Sequence, residues 1–259
     1  MSYVENLFGL EGKIAVVIGG GGVLAGDLAM GLASAGADAA ILDFNLENAR
    51  ARAEAVRGLG RKAIAVQVNV TTKGDLESAR DTVLKELGRI DVVINAAGIN
   101  SPTPVFELQE EEWNRILETN LKGVFLGCQV FGKVLVDQNQ GGSIINISSA
   151  SSEIPLSKVF TYSISKAGVN NLTRFLAREW APHRVRVNAL VPGFFPAEQN
   201  RKILTEERKQ SIFRHTPMNR YGEPNELIGA VIWLASEKAS SFVTGSLVVV
   251  DGGFTAMTI

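Results

Sequence analysis

The sequence predicts an α/β fold, a single-domain doubly wound parallel sheet with helices on both faces. Three observations carry this. Short, continuously apolar runs rich in β-branched residues recur along the chain, as strands covered on both faces require. Helix-period stretches separate them from Lys13 to at least Ala181, so right-handed crossovers join successive strands. A glycine-rich turn follows the first run directly, where the first strand of such a sheet hands over to its helix.

The strands are expected at 14–18, 39–42, 63–66, 92–94, 144–147, 185–191 and 247–250. After the second, Leu46, Ala49, Ala53 and Val56 share one helical face, with Asn45 as N-cap and Gly58 or Gly60 near the end. After the third, Leu76, Ala79, Val83 and Leu87 do the same, and Gly88 closes that helix. The stretch at about 192–224, opening Pro-Gly-Phe-Phe-Pro, is a late insertion that reads as a substrate lid, with a charged helix over about 198–214.

Composition narrows the function. The chain has 259 residues, 46% of them hydrophobic and 20% charged, enough for one well-packed core. Lys and Arg (26) balance Asp and Glu (27), which gives no basic footprint for nucleic acid or an anionic membrane. One cysteine excludes a disulfide framework and fits a reducing compartment. The Met-Ser-Tyr-Val-Glu-Asn start lacks the features of a secretory signal, and Asp27 and Asp38 interrupt the longest apolar stretch. The expectation is a cytoplasmic protein. His183 and His215 lack metal-ligand spacing, and Cys128 reads as helix core, so no metal is expected.

The turn Gly19-Gly20-Gly21-Gly22 leads through Val23 and Leu24 into a helix, a cradle for a pyrophosphate at a helix N-terminus. A G-x-G-x-x-G/A pattern falls on Gly20, Gly22 and Ala25, and by itself it equally describes a tight strand–helix turn. Asp43 ends the second strand 21 residues after Gly22, where a carboxylate accepts hydrogen bonds from ribose hydroxyls. It would also repel a 2′-phosphate, and the following Phe44 and Asn45 bring no compensating cation, so NAD is expected over NADP.

Tyr162 and Lys166 are four residues apart, on one face of a helix. A free tyrosine is a poor base, and a neighbouring ammonium is expected to lower its pKa. That pair alone is common in ordinary amphipathic helices. It is accompanied here by Ser149, 13 residues before Tyr162, by Asn-Ala-Ala-Gly at 95–98, by Asn120 in a predicted helix and by Pro192-Gly193 after the sixth strand.

With these motifs and Asp251-Gly252-Gly253, the chain resembles the short-chain dehydrogenase/reductase family over nearly its whole length. The resemblance implies a Rossmann-like sheet of about seven parallel strands and hydride transfer between NAD(P) and an alcohol or carbonyl carbon. It implies Tyr162 as general acid/base and Ser149 polarising the substrate oxygen. Lys166 would bind the nicotinamide ribose and depress the Tyr162 pKa, and Asn120 would anchor a proton-relay water. It further implies cofactor contacts from Asn69, Val70, Asn95, Ala96, Ala97, Gly98, Pro192 and Gly193, and a homotetramer. Gly19 stands where the family has Thr, and Leu24 where it has the middle glycine. Asn69 replaces a common Asp, and Phe194-Phe195 follow Pro192-Gly193 where a Thr is frequent.

The stretches 194–201, 215–218 and 239–245 resemble those of D-mannonate (fructuronate) oxidoreductase-like sugar-acid members, so the expected substrate is a small polar alcohol or ketone: a sugar, sugar acid or polyol. Asn100, Ser151, Glu153, Gln199 and Asn200 are candidate hydroxyl partners, and Lys158 or Arg201 would meet a carboxylate. Glu153 is the expected specificity residue. Two other functions compete: a 3-oxoacyl-thioester reductase, which Asp43 opposes, and a nucleotide-binding regulator without chemistry, which the intact Asn120, Ser149, Tyr162 and Lys166 set opposes.

Overall fold

The computed structural model describes residues 2–196 and 205–257. A short helix α1 (Tyr3–Phe8), closed by a Ser2–Glu5 capping box, precedes the sheet. Strand β1 (Ile14–Ile18) leads into α2 (Val23–Ser34), β2 (Asp38–Asp43), α3 (Leu46–Gly58), β3 (Ala63–Gln67), α4 (Lys73–Leu87) and β4 (Val92–Asn95). Helix α5 (Glu110–Leu117) runs through a π-helical turn (Glu118–Lys122) into α6 (Gly123–Gln138). Then come β5 (Gly142–Ile147), α7 (Phe160–Trp180), β6 (Val185–Pro192), α8 (Glu206–Arg214), α9 (Ile228–Ala235), α10 (Glu237–Ser240) and β7 (Leu247–Val250).

The strands form one seven-stranded parallel sheet in the order β3-β2-β1-β4-β5-β6-β7. The chain winds outward one way through β2 and β3, then returns to the centre and winds the other way from β4. Crossovers therefore diverge at the carboxyl ends of β1 and β4, and a crevice opens there. Ile18 pairs with Leu42 on one side and Asn95 on the other, which fixes the residues that meet at its floor.

Alternation explains why the strands read as unbroken apolar runs. Val17, Ile41, Ile94 and Ile145 point to the face covered by α2, α3 and α9, whereas Val16, Val93, Ile144 and Val187 point to the face covered by α4, α6 and α7. Each expected strand is present, several longer by one or two residues. Gly88 ends α4 in the left-handed region (φ 84°). The charged helix expected over about 198–214 is seen as α8, and residues 197–204 lie outside the described residues.

Asn45 caps α3 by accepting from Asn48 N–H at 3.1 Å. Asn45→Ala is expected to lower the unfolding free energy by about 1 kcal/mol. Urea unfolding should show this as a lower midpoint at an unchanged m-value.

Candidate active site

Gly19 and Gly20 bend the chain out of β1 by donating to the Leu42 carbonyl at 2.7 and 3.0 Å. Gly19 has φ +81°, and a Cβ there would lie 2.6 Å from Ala97 N, so only glycine lets this turn cross the strand extension beside it. Helix α2 then starts at Val23 with Gly22 as N-cap and no side-chain cap. Its first-turn N–H groups thus remain free to meet an anion.

A cleft of about 690 Å³ runs from Asp43, Phe44, Asn48, Asn69 and Val70 to Ala96, Ala97 and Gly98. It continues as a space of about 410 Å³ past Val23 and Leu24 to Ile147 and Phe195, with Gly19, Gly22 and Ala96 shared by both parts. An acid at one end, helix N–H donors in the middle and apolar walls beyond fit an extended dinucleotide. The Asp43 carboxylate accepts from Gly21 N–H and Asn45 N–H, both at 2.9 Å, which fixes the acid at the rim. The Asn69 amide oxygen accepts from Thr71 N–H and its hydroxyl, holding that side chain on the cleft wall.

Where the cleft meets β5, four further side chains gather. Ser149 lies just past the strand in extended conformation and opens the turn Ala150–Ser152. Helix α7 carries Tyr162, which is hydrogen-bonded to Ser149. One turn later Lys166, 3% exposed, donates from Nζ to the Ile147 carbonyl at 2.7 Å and sits 5.4 Å from the centre of the Tyr162 ring. The fully buried Asn120 pairs with Ile99, accepting from its N–H and donating to its carbonyl, both at 2.8 Å. A Cβ placed on Gly98 would lie 3.5 Å from Asn120 Oδ1 and 3.6 Å from Lys166 Nζ, so both side chains reach the same point. The helix expected around Asn120 is widened there into the π-helical turn, a local insertion typical of functional positions.

Burial sets the electrostatics. It lowers Lys166 from 10.5 to about 8 and raises Tyr162 above its ordinary value, with the Ser149 hydrogen bond acting the other way. The expectation that Lys166 makes the phenol more acidic is therefore corrected for the protein alone. Helical spacing brings the two side chains together, but the amine is turned to the Ile147 carbonyl.

Several expected contacts lie elsewhere. Asn95 does not line the cleft: its side chain is buried and donates to Asn146 Oδ1 (2.8 Å) and Cys128 Sγ, because the pleat of β4 turns it inward. Gly20 is buried in the turn, where a Cβ would meet the Val17 carbonyl. Gly193 packs against Asp251 as Pro192 ends β6. Ser151, Glu153 and Lys158 line, together with Pro102–Val105, a groove of about 640 Å³ on the flank of α7, which reaches Ser149 through the Ser151 hydroxyl donating to Ser149 Oγ at 3.1 Å. Glu153 is tied to α7 through Asn170 Nδ2 at 2.7 Å, and Asn170 also donates to Ser152 Oγ at 2.8 Å. Asn100 is exposed, and Gln199, Asn200 and Arg201 lie outside the described residues. Arg115, Glu118 and Thr119, which line the cleft, were not singled out from the sequence, since only tertiary packing brings the end of α5 there. Phe195, known from the sequence only as a departure, lines the same part of the cleft as Leu24.

A sequence family described as enoyl-(acyl carrier protein) reductase matches residues 22–255. The 5-keto-D-gluconate 5-reductase of Escherichia coli (strain K12) is 37% identical, over 96% of this chain and 98% of its own. A solved gluconate 5-dehydrogenase from Burkholderia cenocepacia, in complex with NADP and tartrate, is 33% identical with a TM-score of 0.94, over 99% of this chain and all of that one. A Haemophilus protein with bound NAD, named provisionally as a D-mannonate oxidoreductase, is 34% identical with a TM-score of 0.91, over 99% of both chains.

The Lys166 shift carries a stability consequence. Its folded value lies below the unfolded one, so the unfolded chain binds more protons between about pH 8 and 10.5. The amine burdens the folded state fully below that window, and the burden lifts as pH rises through it. Urea unfolding of the wild type and Lys166→Met should show the stability difference moving toward the wild type across the window, by about 3 kcal/mol. A difference that stays flat with pH would contradict the assignment.

Proposed function

Since the chain belongs to the short-chain dehydrogenase/reductase family, we propose that it is an NAD(H)-dependent oxidoreductase interconverting a secondary alcohol and a ketone on a sugar acid. The observation that carries this reading is the meeting of Ser149, Tyr162, Lys166 and Asn120 at the end of a cleft whose residues fit a dinucleotide. The names of the relatives support the substrate class.

When bound, the nicotinamide supplies the hydride acceptor or donor at C4, and in its oxidised state it is cationic. Ser149 donates a hydrogen bond to the substrate oxygen. In the oxidation, Tyr162 as phenolate takes the hydroxyl proton while the carbinol C–H leaves as hydride, and reduction reverses both transfers. Burial keeps Tyr162 protonated in the protein alone, and a cationic ring in the cleft, joined by Lys166, favours the phenolate. Lys166 holds the nicotinamide ribose. Asn120, facing the same point near Gly98, passes the proton on through water.

Asp43 supports NAD over NADP: a fixed carboxylate at the ribose end opposes a 2′-phosphate, although the two ligand-bound relatives above differ in cofactor. Phe195 on the cleft wall, and Arg208 of α8 donating to Ser157 at 2.6 Å, support the segment beyond β6 as a substrate lid. Exposed Phe125 on α6 and Ile164 and Phe175 on α7 support a homotetramer. We place the enzyme in the cytoplasm; no described helix is long and apolar enough to cross a membrane. The second reading, a 3-oxoacyl-thioester reductase, shares with the description of the matched family only an acyl-carrier-protein substrate, since that description names an enoyl reductase, and Asp43 and the net charge of −1 stand against it.

A panel of sugar acids, polyols and ketoacyl thioesters, followed by NADH absorbance, tests the proposal. Turnover of a sugar acid is expected, with kcat/KM for NADH above that for NADPH by at least about tenfold. Tyr162→Phe should lose about a thousandfold in kcat while still binding NAD. Turnover of the thioester with NADPH alone would overturn it in favour of the second reading.

A further inference from the structure

Ser149 can serve as a donor only if its single proton is free to point at the substrate. A hydroxyl offers one O–H and two acceptor lone pairs, and its rotor settles wherever its neighbours leave room. Here both lone pairs are occupied from one residue. Ser149 Oγ accepts from Ser151 N–H at 3.2 Å and from the Ser151 hydroxyl at 3.1 Å. Ser151 is 4% exposed and its hydroxyl donates to Ser149, a bond costly to leave unmade at that burial.

The turn around this pair is rigid. Ser152 Oγ donates to the Ser149 carbonyl at 2.6 Å, and Ser148 Oγ donates to the Lys166 carbonyl at 3.3 Å. Asn170 of α7 holds Ser152 and Glu153 from the other side. With the backbone pinned, the freedom left to Ser149 is the direction of its hydroxyl, and the two Ser151 bonds remove that freedom. The remaining capacity of Ser149 is to donate toward the side on which Tyr162 lies.

We propose that Ser151 is a positioning residue that fixes Ser149 as a hydrogen-bond donor to the substrate oxygen, and that it does not itself touch substrate. This rests on the role given to Ser149 above. It replaces the sequence expectation of Ser151 as a substrate contact.

A double-mutant cycle tests it, with Ser151→Ala, Ser149→Ala and the pair assayed on the sugar acid that the wild type turns over. Ser151→Ala should lower kcat about fivefold, the worth of one such hydrogen bond, with KM within about twofold. In the Ser149→Ala background it should cost nothing more. An equal loss in both backgrounds, a rise in KM without a fall in kcat, or no change at all would overturn the proposal. If Ser151→Ala does not fold, Ser151→Cys takes its place in the cycle, with the same outcomes deciding. If the wild type turns over no member of the panel, the proposed reaction fails, and Ser151 is judged instead by the crystal structure of the variant. There, loss of the Ser149–Tyr162 hydrogen bond supports the role, and an unmoved Ser149 side chain overturns it.

Discussion

The hydrogen bond from Lys166 Nζ to the Ile147 carbonyl is the constraint from which the rest of the site follows. It joins the helix that carries Tyr162 to the strand end that precedes Ser149. Below the cleft a chain of buried amides and hydroxyls repeats the same junction: Asn95 to Asn146, Asn146 to Thr173, and Thr173 to the Val169 carbonyl. These groups are sealed from water, and although Asn95 Oδ1 is left without a partner, the bonds that are made hold β4, β5 and α7 in one arrangement. Asn120 closes the remaining side by pairing with Ile99 and donating to Ser165, whose hydroxyl returns to the Tyr162 carbonyl.

That arrangement costs stability and sets the proton affinities. A buried amine held down to about 8 and a buried phenol held up are both out of register with their solvent values. Groups in this condition respond strongly to a new charge nearby, because little water screens it. In the mechanism proposed above, the acid/base function of Tyr162 is therefore conditional on the cofactor, whose cationic ring would favour the phenolate.

The sheet was legible because every strand is covered on both faces and the crossover helices carry clean apolar stripes with caps such as Asn45 and Gly88. The meeting of Tyr162, Lys166, Ser149 and Asn120 was legible through spacing and family pattern. What escaped lies where tertiary contacts decide. Asn95 is the last residue of β4, next to its cleft-lining neighbours in sequence, but the pleat sends its side chain into the core. The bond that ties Glu153 to Asn170 of α7 is likewise a tertiary contact that residue spacing does not report. The π-helical turn at Asn120 has no periodicity signal in five residues, and Arg115 reaches the cleft only because α5 packs across its end. The sign of the Tyr162 shift is not legible in helical spacing, because burial of the phenol, which only the packed structure reveals, is what raises it.

Ultraviolet difference titration of the Tyr162 phenol, taken as wild type minus Tyr162→Phe with and without NAD, tests the central claim most directly. The account predicts ionisation above the ordinary tyrosine range in the protein alone and a marked fall once NAD is bound. A phenol that ionises below that range without cofactor, or whose ionisation NAD leaves unmoved, would contradict it.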